Sequence, residues 1–161
     1  MKSAPYVPPS LMELPEIPLY MDQLMEWMEK KMIFLQEGVE KPILTKTMVN
    51  NYVKSGIVEK PLKKKYARDQ IMELLMVCHW KNVLTMEEMA MLVKEGRKGS
   101  SVEDLYSLYR SLCLAFEQGQ GVPASQKDQS WARTVYNVIV SEWNRRKAKE
   151  MLRAFSKEET P

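Results

Sequence analysis

One short stretch of the chain concentrates the side chains that could do chemistry. Lys46, Thr47, Asn50, Asn51 and Lys54 recur at helical spacing, and Lys63, Lys64, Lys65, Tyr66 and Arg68 follow them. Amide side chains can pair bidentately with adenine while lysines reach guanine or phosphate, so the first set suits a DNA major groove. The lysine run suits the phosphate backbone, where counterion release would supply affinity. From Lys41 to Arg68 there are eight bases and one acid, Glu59, in a chain of 161 residues whose net charge is only +3. The remainder is mildly acidic, so the positive charge is local. A lysine run by itself is most often a solvated face, and only the elements around it can raise it above that.

Catalysis and metal binding lack their residues. The single His79 lies between Cys78 and Trp80 with no glycine-rich, serine or acidic motif beside it, which fits a half-buried core histidine better than a general base. Gly96, Arg97, Lys98 and Gly99 lack the preceding strand and the Gly-Lys-Ser/Thr ending of a phosphate-binding loop. Cys78 and Cys113 read as small core residues, with a thiol switch as the alternative. Two cysteines and one histidine are too few for a disulfide framework or a zinc site. The expectation is no enzyme, no cofactor and no metal. Composition, with 45% apolar and 28% charged residues, is that of a globular protein. No apolar run is long enough to cross a bilayer, and Pro5, Pro8, Pro9, Pro15 and Pro18 occupy the place of a signal peptide, so a soluble cytoplasmic protein without membrane contact is expected.

The elements that must position these residues can be read from spacing. Residues 1–19 carry proline too often for a helix or a sheet ladder and read as an extended arm. Met21, Leu24, Met25, Met28, Met32 and Leu35 share one face of a helix over 21–36, with Gly38 as its stop. The methionines on it suit a gap-filling core face, or else an adaptable binding surface. Thr45 is an N-cap, Met48, Val49, Tyr52 and Val53 turn inward, and Gly56 ends a helix of about three turns. Glu59 to Tyr66 reads as a loop or small hairpin whose bases project together. Asp69 opens a helix to about Asn82, with Ile71, Leu74, Leu75 and Cys78 inward. Thr85 and Glu88 form a capping box for a helix over 86–95. Gly96 to Ser101 is the best internal boundary. Beyond it, Val102, Leu105, Tyr109, Leu112 and Phe116 predict a helix apolar on more than one side. A connector from Gly119 leads to a last helix, about Asp128 to Phe155, with Trp131, Val135, Val138, Ile139 and Trp143 inward.

Helix, turn, basic loop, helix is the order of a winged helix-turn-helix. Residues 45–93 resemble the DNA-binding head of MerR-type transcriptional regulators. In that family a recognition helix ends in Tyr-x-x-x-Gly-Leu, a wing ends in Arg-x-Tyr, and the second following helix opens with Ser-Leu-x-Glu-Ile. Here the matching residues are Tyr52 to Val58, Lys64 to Tyr66, and Thr85 to Met89. More specifically, residues 14–150 are similar to the YkrK-like bacterial family of unknown function, with a MerR-like winged helix, through the runs Leu14 to Asp22, Leu44 to Gly56 and Lys63 to Tyr66. The resemblance implies DNA binding at these positions. Asn50 stands where MerR proteins carry a recognition-helix arginine and Lys64 where they carry the wing arginine, so positions transfer and individual contacts do not. The long coiled-coil helix and effector cysteines of MerR metal sensors are absent, and metal sensing is not implied.

The expected architecture is therefore mainly α: an extended proline-rich arm over 1–19, a MerR-like winged helix-turn-helix over 20–96 with a loop or small hairpin as its wing, and a helical C-terminal region over 97–161. The expected function is sequence-specific binding of double-stranded DNA by a transcriptional regulator. Its recognition helix is about 45–55 and its basic wing about 59–66. The alternative is a non-enzymatic protein-interaction module on the same fold that docks an acidic partner. Homodimerisation through the C-terminal helices is expected because the helix over 102–116, with Trp131 and Trp143, offers more apolar surface than one small head needs.

Overall fold

Six α-helices and one two-stranded sheet are found in the computed structural model, which describes residues 4–36, 41–126 and 129–158. The proline-rich arm is not featureless. It holds a 3-10 turn, Leu11–Glu13, and a two-residue strand β1, Leu19–Tyr20, neither of which the proline spacing foretold. The turn forms because Glu13 reaches back to the Ser10 amide, 2.7 Å, a local cap that needs no helix beyond it. Tyr6, Pro8 and Pro9 are buried. The arm lies along the C-terminal half of the chain, where Tyr106 Oη donates to Pro9 O at 2.6 Å and Arg110 Nε to Pro8 O at 3.0 Å.

α1, Met21–Lys31, is shorter than its apolar period predicts. Met32 leaves helical geometry, a 3-10 turn covers Ile33–Leu35, and Arg146 from far along the sequence donates to the Phe34 carbonyl at 3.1 Å. A tertiary bond thus takes over a carbonyl that one more helical turn would have used. The expected stop, Gly38, lies outside the described residues. Met28 and Met32 are fully buried, while Met25 is half-buried at a cleft of about 320 Å³ shared with Ile43 and Leu44.

α2, Lys46–Lys54, and α3, Arg68–Trp80, follow. α3 starts one residue before Asp69, with the Ala67 amide held by Gln70 Oε1 at 2.8 Å. Its residues from Gln70 to Trp80 are all buried, so the rest of the molecule is arranged around it. α4, Met86–Gly96, opens on the Thr85–Glu88 capping box, with Thr85 N to Glu88 Oε1 at 2.9 Å and Glu88 N to Thr85 Oγ1 at 3.2 Å. Gly96 ends it where a Cβ would come within 2.8 Å of Trp131 Nε1 and 3.0 Å of Leu105 Cδ1; only glycine lets these helices close up.

α5, Val102–Glu117, and α6, Ser130–Glu158, complete the fold. α5 buries Leu105, Tyr106, Tyr109, Leu112, Cys113 and Ala115, as its several apolar faces require. Asp128, the expected start of the last helix, lies outside the described residues. Trp131 is half-buried and donates to Leu92 O at 2.9 Å, tying α6 to α4. One continuous apolar core runs from Tyr6 to Ile139 and takes side chains from both sides of the Gly96–Ser101 boundary. Among the described residues no helix is long and apolar enough to cross a membrane.

Candidate nucleic-acid interface

α2 is short, and what fixes it comes from its two ends. At the start, Thr45 Oγ1 accepts the Met48 amide at 3.1 Å, satisfying one of the amides a helix leaves open. At the end, Gly56 adopts φ 76°, and the Tyr52 carbonyl accepts the amides of both Ile57 (3.0 Å) and Val58 (3.1 Å). Val49 and Tyr52 are buried beneath the helix. Two further cations clamp it. Lys81, at the end of α3, donates to Ile43 O and lies 3.6 Å from Met48 Sδ; burial pushes its ammonium below the usual lysine range. Arg97, just past α4, donates to Gly56 O (3.3 Å), Ile57 O (3.4 Å) and the Glu73 carboxylate. Burial raises the Glu73 carboxyl, which outweighs the opposing pull of Arg97.

With its inner side so occupied, α2 turns Lys46, Thr47, Asn50, Asn51 and Lys54 to solvent; all five are exposed. Lys46 Nζ is 2.6 Å from Asp22 Oδ1 on the first turn of α1. That pair is solvent-exposed on both sides and contributes little to stability, but it joins the start of α2 to the start of α1.

The basic run forms a hairpin. Lys65 N donates to Leu62 O at 3.0 Å around a two-residue turn, and both central residues have positive φ, Lys63 at 51° and Lys64 at 63°. This is the type I′ pattern. Strand β2, Lys65–Tyr66, then pairs antiparallel with β1, Leu19 opposite Tyr66 and Tyr20 opposite Lys65. The lysines differ in role. Lys63 and Lys64 are exposed at the tip, whereas Lys65 is half-buried with Nζ 4.9 Å from the centre of the Tyr20 ring. Tyr66, named among the candidate contacts, points inward at 4% exposure and belongs to the core. Arg68 is half-buried and donates to Leu11 O at 3.2 Å, so it braces the arm against α3. The surface set is therefore Lys46, Thr47, Asn50, Asn51, Lys54, Lys63 and Lys64. Asp22 on α1, two residues after Tyr20 of β1, links the start of α2 to the base of the hairpin.

A second polar constellation lies in the core. His79 is not half-buried but 1% exposed. Its Nδ1 is 2.5 Å from Tyr109 Oη and its Nε2 is 3.2 Å from Glu142 Oε2. Arg146 in turn donates to Glu142 through Nε at 2.5 Å and Nη2 at 3.2 Å. A carboxylate only accepts, so Nε2 donates to Glu142, while Nδ1 shares a hydrogen bond with the Tyr109 hydroxyl. Burial raises the Glu142 carboxyl, but the hydrogen bonds from His79 and Arg146 outweigh it and hold the group below the usual carboxylate range. Burial pushes the Cys78 thiol up to about 12 and the Cys113 thiol well above its ordinary value, which disfavours the reactive thiolate.

A family model described as a domain of unknown function (DUF1836) matches residues 9–112, from the arm through most of α5. No curated protein and no solved structure matches the chain.

Proposed function

The chain belongs to the DUF1836 family, and from that premise we propose that it binds double-stranded DNA in a sequence-specific way, as a transcriptional regulator with a MerR-like winged helix-turn-helix head. The observation that carries the reading is the polar outer side of α2, five exposed side chains that accept, donate or carry charge, on a helix held at both ends by Lys81 and Arg97. A recognition element gains by such pre-organisation, because it gives up little freedom on binding. In this reading α2 enters the major groove, with Asn50 and Asn51 on base edges and Lys46, Thr47 and Lys54 on bases or phosphates. Lys63 and Lys64 reach the adjacent backbone as a wing.

Two copies joined through their C-terminal helices would set two α2 helices on one duplex, which a single short helix needs to reach useful affinity. Trp131 and most of α5 are used inside one chain, and what remains outward on α6 is Met151, Leu152 and Phe155. Light scattering tests this: twice the chain mass is expected, lost when Met151 and Phe155 become glutamate, and the single-chain mass contradicts it.

The DNA reading itself is tested by titrating a mixed-sequence duplex with the full chain at rising salt. Affinity that falls steeply between about 50 and 200 mM salt is expected. Affinity independent of salt, or no binding at the lowest salt, overturns it.

A further inference from the structure

The tip of the hairpin is built from the wrong residues for its geometry. A type I′ turn places both central residues at positive φ, which Asn-Gly adopts readily and other residues adopt at a conformational cost. Here the two positions are lysines, at φ 51° and 63°. Neither lysine forms an ion pair among the described residues. Both side chains are exposed, so neither buries its length against the core to offset the backbone cost.

Everything below the tip holds the turn in place. Lys65 N closes it onto Leu62 O, β2 pairs with β1, and the Tyr66 side chain is buried. Gln70 Nε2 donates to Lys60 O at 3.2 Å on the entering side, and Lys65 lies over Tyr20 on the leaving side. A strained backbone persists only where its surroundings over-determine it, and such positions gather at ligand clamps.

We propose that the Lys63–Lys64 turn is a pre-strained phosphate clamp, in which folding stability is given up so that two ammonium groups stand side by side on a rigid support for the phosphates of a nucleic-acid backbone. The inference rests on the DNA reading above and adds a property that reading does not require: stability and affinity oppose each other at these two positions. A solvated lysine pair on an indifferent loop has no such signature.

Two double variants of the full chain separate backbone from charge. K63N/K64G relieves the strain and removes both charges; K63Q/K64Q removes the charges and keeps side chains that strain the same turn. Each is measured by thermal melting without DNA and by titration of a 30-base-pair mixed-sequence duplex between about 50 and 200 mM salt. K63N/K64G is expected to melt about 3 °C or more above the parent, while K63Q/K64Q melts with the parent. Both are expected to bind the duplex about tenfold or more weakly at about 50 mM salt, with the slope of log affinity against log salt reduced by about two, since two phosphate contacts are gone. If K63N/K64G melts at or below the parent, the turn is not strained and the inference fails. If it melts higher but the parent's affinity and salt slope are kept, the lysines touch no phosphate; the inference then fails while the DNA reading stands. A parent protein that does not bind the duplex overturns both.

Discussion

The molecule carries two polar constellations of similar chemical richness, and their surroundings give them opposite meanings. Around His79, a histidine, a tyrosine, a glutamate and an arginine are drawn from α3, α5 and α6, and each polar group answers another inside the core. On α2 and the hairpin tip, amides and lysines face water, and the buried side is closed by Val49, Tyr52 and Tyr66. The first group resembles a catalytic relay in its composition, yet none of its four side chains is more than 8% exposed. The second has no catalytic composition and full access. Accessibility, more than the types of residue, is what favours the outer set as the proposed recognition surface.

The comparison breaks most visibly in the core. Glu142→Ala leaves His79 and Arg146 buried without their acceptor, and losing one partner of such a pair costs about 3–5 kcal/mol. Thermal melting should show that loss, with no change in DNA affinity per folded molecule. A selective loss of DNA binding at unchanged stability would make the core network functional instead. pH gives the same contrast without mutation. The Glu142 carboxyl is held below its unfolded value, so its contribution is present at neutral pH and is lost as pH falls through the folded value. Below about pH 4.3, the unperturbed glutamate value, the parent should lose stability that Glu142→Gln does not. Acid melts that run parallel for the two proteins contradict this.

On the outer surface the pattern should reverse. Asn50→Ala or Asn51→Ala is expected to cost roughly 1–3 kcal/mol on a specific site and little on random duplex, while the melting temperature holds. Equal losses on both DNAs would remove these residues from base reading. The smallest effect falls at the Lys46–Asp22 pair, 2.6 Å apart and exposed. Asp22→Ala should alter stability by about 1 kcal/mol or less, and by freeing Lys46 and removing an acid beside the phosphates it should tighten duplex binding about two- to fivefold at low salt. Weaker binding would show that the pair positions α2.

Local signals made much of this legible. Thr45 and Gly56 bracket α2, and the Thr85–Glu88 capping box marks α4, because caps are decided within four residues of sequence. The several apolar faces of α5 follow from period, whereas α3, read with Ile71, Leu74, Leu75 and Cys78 inward, is buried on every side from Gln70 to Trp80 because α5, α6 and β2 all pack against it. What spacing could not reveal was long-range. His79 finds Tyr109 and Glu142 across 30 and 63 residues, and no local motif announces such partners. Arg97, read as part of a boundary, proves to be the brace behind α2. A strand of two residues such as Leu19–Tyr20 has no period to detect. Within the candidate site, residue types and helix placement were readable, but the pairing of Tyr66 with Leu19, the bond from Arg68 to Leu11 and the left-handed turn closed by Lys65 on Leu62 are contacts that residue types alone do not announce.

The most direct test of DNA recognition through α2 is selection of genomic fragments by the purified full chain at about 100 mM salt, followed by sequencing of what is retained. The expected result is enrichment of fragments sharing a common short sequence, lost with Asn50→Ala/Asn51→Ala although that variant melts with the parent. Retention of fragments without any common sequence, or the same enrichment with the double variant, would contradict sequence reading by this helix.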